Sequence, residues 1–262
     1  MNKSLRTFKK NTPQYTLYYN MHKNQTIDFV RNKKKEYSKL NKKKMSIKDA
    51  IKLLDDFIDP SDPDIDSGNL THAYQTAEGI RKKYPDNKEL QIVGLIHDVG
   101  KVLFSFGEPS WAVVGDTYVL GCEFPKTIVY YDTLKESPEF EKYNSSLNKF
   151  NNGVYKEGCG LDNLIISYGH DEYLYSVLKG NKNHIISEKY MDVIKYHSFY
   201  PWHTDNKYHQ FMNEKDKITL ENVRKFNIFD LYSKEDDTNI KQETINYYDK
   251  ILDEYFYGEL DW

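Results

Sequence analysis

The dipeptide His97-Asp98 constrains this chain more than any other feature. It closes the apolar run Ile92-Val93-Gly94-Leu95-Ile96 and is followed by Val99-Gly100-Lys101. A lone histidine is common; here one adjoins a carboxylate at the end of a helix-like segment. His72 precedes the pair by about the length of one helical hairpin, and His170, His197 and Asp230 follow in similarly ordered surroundings. Imidazole and carboxylate together suit first-row transition metals. Six such side chains are too many for one catalytic ion with open positions, and they point to two.

The 262 residues allow one large domain or two small ones and suffice for a substantial core. With 39% hydrophobic and 29% charged residues, the profile is that of a soluble globular chain. A net charge of -3 gives no electrostatic case for nucleic acid or an anionic membrane. Cys122 and Cys159 stand alone, neither in a C-x-x-C unit. Reduced thiols in a cytoplasmic compartment are expected, and a thiolate metal site is not. No apolar stretch follows the basic first residues, so no signal peptide is expected, and no run reaches membrane-spanning length.

Along the chain, residues 1–20 read as an extended arm and 21–262 as a single domain. A helix opens after Asn24-Gln25-Thr26. The Lys-rich residues 31–44 read as a solvated helix face and loop, with an anion-binding patch as the alternative. Ser46 and Asp49 form a capping box ahead of Ile47, Ala50, Ile51, Leu54 and Ile58 at helical spacing. Pro60 and Pro63, among Asp59, Asp62, Asp64 and Asp66, end that helix in an acidic loop without the EF-hand order. Further helices are expected over 70–83, 88–99, 161–178, 187–200 (with Pro201 as its stop), 220–232 and 245–255. Residues 111–117 suit a loop or short strand, and 121–158 look irregular. The expected fold is all-α: a mostly helical single domain with irregular loops and few short strands.

Adjacent residues on a helix point about 100° apart, so His97 and Asp98 can flank one ion or Asp98 can bridge two. The order His72, His97-Asp98, Asp230 resembles the HD-domain superfamily, helical metalloproteins that are mostly phosphohydrolases. His170 and His197 lie on apolar segments, where an unpartnered imidazole would lose its charge and need a hydrogen bond. Ligation removes that difficulty. Two carboxylates under-neutralise two iron ions, so an anionic oxygen should be attracted there. Histidine-rich ligation fits iron better than magnesium.

The resemblance then becomes specific. His72-Ala73-Tyr74-Gln75-Thr76-Ala77-Glu78-Gly79-Ile80-Arg81, Val93 through Lys101 and Trp111-Ala112-Val113-Val114-Gly115-Asp116-Thr117 are similar to the myo-inositol oxygenase family. So are Ser167-Tyr168-Gly169-His170-Asp171-Glu172-Tyr173-Leu174-Tyr175 and His197-Ser198-Phe199-Tyr200-Pro201-Trp202-His203. The likeness runs from about residue 15 to Trp262. It implies an HD-domain-like helical bundle and a monomer. It also implies O2-dependent cleavage of the C1–C6 bond of myo-inositol to D-glucuronate and water by a mixed-valent Fe(II)/Fe(III) pair. The matching positions make His72, His97, Asp98, His170, His197 and Asp230 the iron ligands, with Asp98 bridging. They make Asp59, Lys101, Gly115, Asp116, His197 and Ser198 substrate contacts. Lys101 is also the catalytic group; beside two cations, a lowered pKa and a proton-shuttle role are expected of it.

Arg6 is the counterpart of an arginine that the family carries in an arm closing over substrate, although residues 7–19 are shorter and dissimilar. Residues 136–156 also depart from the family. Asp171 is not a ligand in the family pattern. His203 is expected to orient neighbours of the centre, His22, His184 and His209 to lie at the surface, and Phe199 to Trp202 to form a packed corner. The rival readings are a metal-dependent phosphohydrolase of the HD superfamily, an oxygenase of another inositol isomer, and a degenerate polyol-binding protein. The first would require Arg and Lys clustered near the metals; the last, broken ligands.

Overall fold

The structure, a computed structural model, describes residues 10, 12–61, 68–144, 152–232 and 239–262. The first helix, α1 (Pro13–Asn24), starts where Thr12 accepts a hydrogen bond from the Tyr15 amide and Pro13 presets the first turn. The expected extended arm is therefore corrected from residue 13 onward. Leu17, Tyr18 and Met21 give this segment a buried face, which a polar, aromatic composition had hidden. Arg6 lies outside the described residues.

Thr26 caps α2 (Ile27–Tyr37) through the Phe29 amide. Several lysines of residues 31–44 meet carboxylates: Lys33 of α2 meets Glu36 and Glu108, Lys34 of α2 meets Glu172, and Lys42, past the helix, meets Glu36. After β1 (Lys44–Ser46), the capping box forms as read at α3 (Ile47–Lys52). Ser46 Oγ accepts from the Asp49 amide at 3.1 Å and donates to the Asp49 carboxylate at 2.7 Å. A 3-10 turn, Leu53–Asp56, follows and ends before Ile58, which is left 73% exposed instead of joining the stripe.

Helices α4 (Asn69–Lys83) and α5 (Lys88–Ile96) form the hairpin that carries His72 and His97. Asn87 caps α5 through the Leu90 amide. Gly94 lets the two helices approach closely; a Cβ there would lie 3.1 Å from the Ala77 Cα. The α-helix stops at Ile96, short of the expected residue 99, and continues as the 3-10 helix Val99–Phe106. Gly100 permits that tight path: a Cβ would sit 1.9 Å from the His170 carbonyl oxygen.

Strands β2 (Val119–Leu120) and β3 (Ile165–Ile166) pair antiparallel. Between them, in the region expected to be irregular, lie the 3-10 turn Tyr131–Glu136 and the short α6 (Phe140–Asn144). The helix expected over 161–178 is corrected: Leu161–Asn163 is a 3-10 turn, β3 follows, and α7 (His170–Gly180) begins only after Gly169. The Ser167 amide reaches the Tyr118 carbonyl at 2.8 Å, so tertiary pairing overrides the apolar run's helical periodicity. Beyond α8 (Glu188–Tyr196), Pro201 opens the single turn α9 (Tyr200–His203) rather than stopping a helix, because proline suits a first turn.

Helix α10 (Glu214–Tyr232) starts earlier than expected, and α11 (Gln242–Tyr255) leads to β4 (Glu259–Asp261). β4 pairs antiparallel with β1, Lys44 opposite Asp261 and Ser46 opposite Glu259. Helix α4 packs on α5, α7 on α8, and α10 runs against α8 and α4. The all-helical expectation holds, with strands confined to two small pairs. Among the described residues no helix is long and apolar enough to cross a membrane.

Candidate metal centre

The six expected ligands come from five places in the chain and converge on one buried point. His72 sits on α4, His97 and Asp98 just past α5, His170 at the start of α7, His197 just past α8, and Asp230 near the end of α10. Asp98 Oδ1 lies 3.2 Å from His170 Nε2 and 3.7 Å from His197 Nε2, while its Oδ2 lies 3.5 Å from His97 Nε2. Asp230 Oδ1 faces His72 Nε2 at 2.9 Å and His97 Nε2 at 3.3 Å. Two triads, His72–His97–Asp230 and His97–Asp98–His197, each bring their donor atoms within 4.8 Å of one another. Asp98, with one oxygen toward each side, stands between them.

The other ring nitrogens explain why these donors are aimed. His97 Nδ1 donates to Gly94 O at 2.9 Å, His170 Nδ1 to Val113 O at 2.8 Å and His197 Nδ1 to Ile194 O at 2.7 Å. A carbonyl at that distance requires the proton on Nδ1, so the neutral ring turns an Nε2 lone pair inward. The Nε2 atoms of His170 and His197 consequently face each other at 3.1 Å, beside carboxylate oxygens. Acceptors crowded against acceptors call for a cation between them, and this donor set fits a borderline transition metal. Burial alone would raise the pKa of Asp98 and Asp230. The neighbouring His97 and Lys101 outweigh burial and hold Asp98 well below the usual carboxylate range, and the neighbouring His72 and His97 do the same for Asp230.

Lys101 Nζ is buried among Asp59 Oδ2 at 2.8 Å, Asn69 Oδ1 at 2.9 Å and Asp98 Oδ2 at 3.0 Å. Burial pulls the pKa of Lys101 down, and the charges of Asp59 and Asp98 outweigh burial and lift it. Asp59 is fixed in turn by the Ser61 amide at 2.8 Å and hydroxyl at 2.6 Å. Gly115 adopts φ +111° and passes against Met21, Leu17 and Tyr18 of α1, a conformation and a proximity that favour glycine. Asp116 is clasped by Tyr18, whose hydroxyl donates to Oδ1 and accepts from the Asp116 amide, both at 3.1 Å. Ser198 Oγ lies 3.2 Å from His197 Nε2, and Ser198 O accepts from the Thr117 amide at 2.9 Å. Lys101 and Ser198 thus touch members of the centre and Asp59 touches Lys101, whereas Gly115 and Asp116 touch α1.

Asp171 is buried and accepts from the Glu172 amide at 3.0 Å. His203 Nε2 donates to the carbonyl of His197 at 2.9 Å, and burial lowers its pKa to about 4. Phe199 and Trp202 stack in the core at 5.8 Å. His22 corrects the surface expectation: it is fully buried, 2.6 Å from Thr133 Oγ1, and burial lowers its pKa from 6.5 to about 3. His184 and His209 are half-buried and bond the Leu178 and Trp202 carbonyls. Three residues were missed. Asn69 touches Lys101, Tyr18 clasps Asp116, and Gln25 bonds both the amide and the carbonyl of Tyr168, at 3.0 and 2.8 Å. Asn69, a polar residue at a helix start, carried a signal; Gln25 and Tyr18 carried none.

A family profile described as myo-inositol oxygenase matches residues 12–262. The chain is 45% identical over 251 residues to the inositol oxygenase of Homo sapiens, covering 95% of this chain and 86% of that one. It is 46% identical over 246 residues to inositol oxygenase 1 of Arabidopsis thaliana, covering 92% and 77%. A probable inositol oxygenase of Oryza sativa subsp. japonica is 47% identical over 245 residues, covering 92% and 78%.

Proposed function

The chain belongs to the myo-inositol oxygenase family and is an oxygenase acting on inositol, and from that premise we propose how its centre works. The six converging side chains hold two iron ions, one Fe(II) and one Fe(III), with Asp98 as the shared carboxylate. The observation that carries this reading is the inward-facing set of Nε2 atoms, fixed by backbone carbonyls, around two carboxylates. When bound, the metal pair supplies O2 activation and acidifies the substrate's coordinated hydroxyls. The reaction opens the C1–C6 bond of myo-inositol with O2 and yields D-glucuronate and water.

The chain's own residues bind and orient the polyol. Asp59 and Asp116 accept from ring hydroxyls, Gly115 lets the backbone approach, and Ser198 adds a hydroxyl beside His197. Lys101 holds its ammonium against the hydroxyl that loses a proton, which stabilises the resulting alkoxide by charge. Tyr18, through Asp116, ties the substrate side to α1, and Arg6 is a further substrate contact. The protein works as a cytoplasmic monomer; its two free thiols support the compartment. A phosphohydrolase would need cations free to take phosphate, and Lys101 is already held by two carboxylates.

Oxygen uptake tests the reading. Iron-reconstituted, partly reduced protein should consume O2 on addition of myo-inositol and release a stoichiometric amount of glucuronate. No uptake by protein shown to carry two irons, with scyllo- and chiro-inositol also inert, would overturn it; phosphate release from a phosphorylated polyol would establish the rival.

A further inference from the structure

An ammonium group carries three donors. In Lys101 the three acceptors around them are Asp59, Asn69 and Asp98, at 2.8, 2.9 and 3.0 Å. Two of these have other work in the proposed function, Asp98 toward metal and Asp59 toward substrate. A substrate hydroxyl reaches this ammonium only where one acceptor withdraws. Asn69 is the neutral member of the three. It is the first residue of α4, one turn before His72, and is 8% exposed. Its Nδ2 donates to the Phe57 carbonyl at 2.5 Å, which settles the orientation of the amide. The flipped amide would set Nδ2 against the ammonium and Oδ1 against the carbonyl, two repulsive contacts.

We propose that Asn69 is a positioning residue for Lys101: its oxygen keeps the ammonium in place while Asp59 gives way to a substrate hydroxyl. The argument rests on the oxygenase reading above. It also accounts for a buried amide that takes no part in metal binding. Its Phe57 contact joins the segment ahead of Asp59 to the helix bearing His72, so the anchor is fixed from both sides.

The test is a double-mutant cycle on anaerobic binding of myo-inositol to the iron-loaded full chain, followed by calorimetry, with iron content measured for every variant. Asn69→Ala should keep its iron and weaken binding by about tenfold, the scale of one lost charge-assisted contact. In a Lys101→Met background the same change should alter binding by less than about twofold, because the residue acts through the missing ammonium. Asn69→Asp, which restores an acceptor oxygen, should recover part of the lost affinity. If Asn69→Ala loses iron, Asn69→Ser replaces it in the cycle. Unchanged affinity, or the same loss in both backgrounds, would overturn the proposal alone. Iron-loaded wild-type protein that does not bind myo-inositol would overturn the functional reading and this proposal with it.

Discussion

His97, His170 and His197 are built differently from His72. The first three each fasten Nδ1 to a backbone carbonyl. The Nδ1 of His72 is buried with no hydrogen-bond partner among the described residues, and its ring is held through Nε2 by Asp230 at 2.9 Å. Three candidate ligands are thus set in tautomer and direction by backbone carbonyls, and the fourth by a carboxylate of its own triad. Preorganisation is unequal across one centre. The side fed by α7 and α8 is a formed socket, whereas the His72–Asp230 side would take its final geometry from a bound metal.

Asp98 joins the two sides, so its loss should have the largest effect. Asp98→Ala should leave fewer than two metals per chain and no measurable turnover; two bound irons with full activity would sink the assignment. Next comes Gly100→Ala. Its Cβ would strike the His170 carbonyl, cost about 3 kcal/mol as an overpacked contact, and empty the formed socket first. Urea unfolding and metal counting would check both halves of that statement. Gln25→Leu should cost about 2 kcal/mol by stranding the Tyr168 amide and carbonyl, two residues before His170, and weaken metal on the same side.

A smaller effect separates the sides directly. Under a chelator, release should be biphasic, with the His72–Asp230 ion leaving about tenfold sooner, the scale of a missing outer partner. Single-phase release would erase the distinction. The smallest effect at neutral pH is expected from His22, a buried histidine outside the centre. Its folded pKa lies below its ordinary value, so its contribution is fully present above pH 6.5 and is lost as pH falls toward about 3. His22→Phe should therefore flatten the loss of melting temperature between pH 6.5 and 4, while leaving stability near pH 7 comparatively unchanged.

The convergence of the six candidate side chains was legible because members sit in local contexts that the chain itself advertises: an apolar run ending in His97-Asp98, a hairpin-length gap back to His72. What was not legible is long-range. Ile165 and Ile166 looked helical by composition and became a strand because residues 119–120 offer pairing. Pro201 looked like a stop and is a first-turn residue, since the missing N–H that breaks a preceding helix costs nothing in the first turn of the next. His22 looked like a surface residue until α1 packed it against Tyr118 and Thr133. The lift in the Lys101 pKa was hidden because Asp59, one of the two carboxylates that close on it, is distant in sequence, whereas Asp98 is three residues away.

The pairing of β1 with β4 has a consequence in time. Residues 44–46 leave the ribosome early, but their partners at 259–261 are among the last described residues to be made, and Trp262 is buried with Nε1 on the Met45 carbonyl at 3.0 Å. The α4–α5 hairpin can assemble as it is synthesised, whereas this clasp closes a loop from residue 46 to residue 259. A nascent chain would accordingly hold His72 and His97 in place well before β1 and β4 are sewn together.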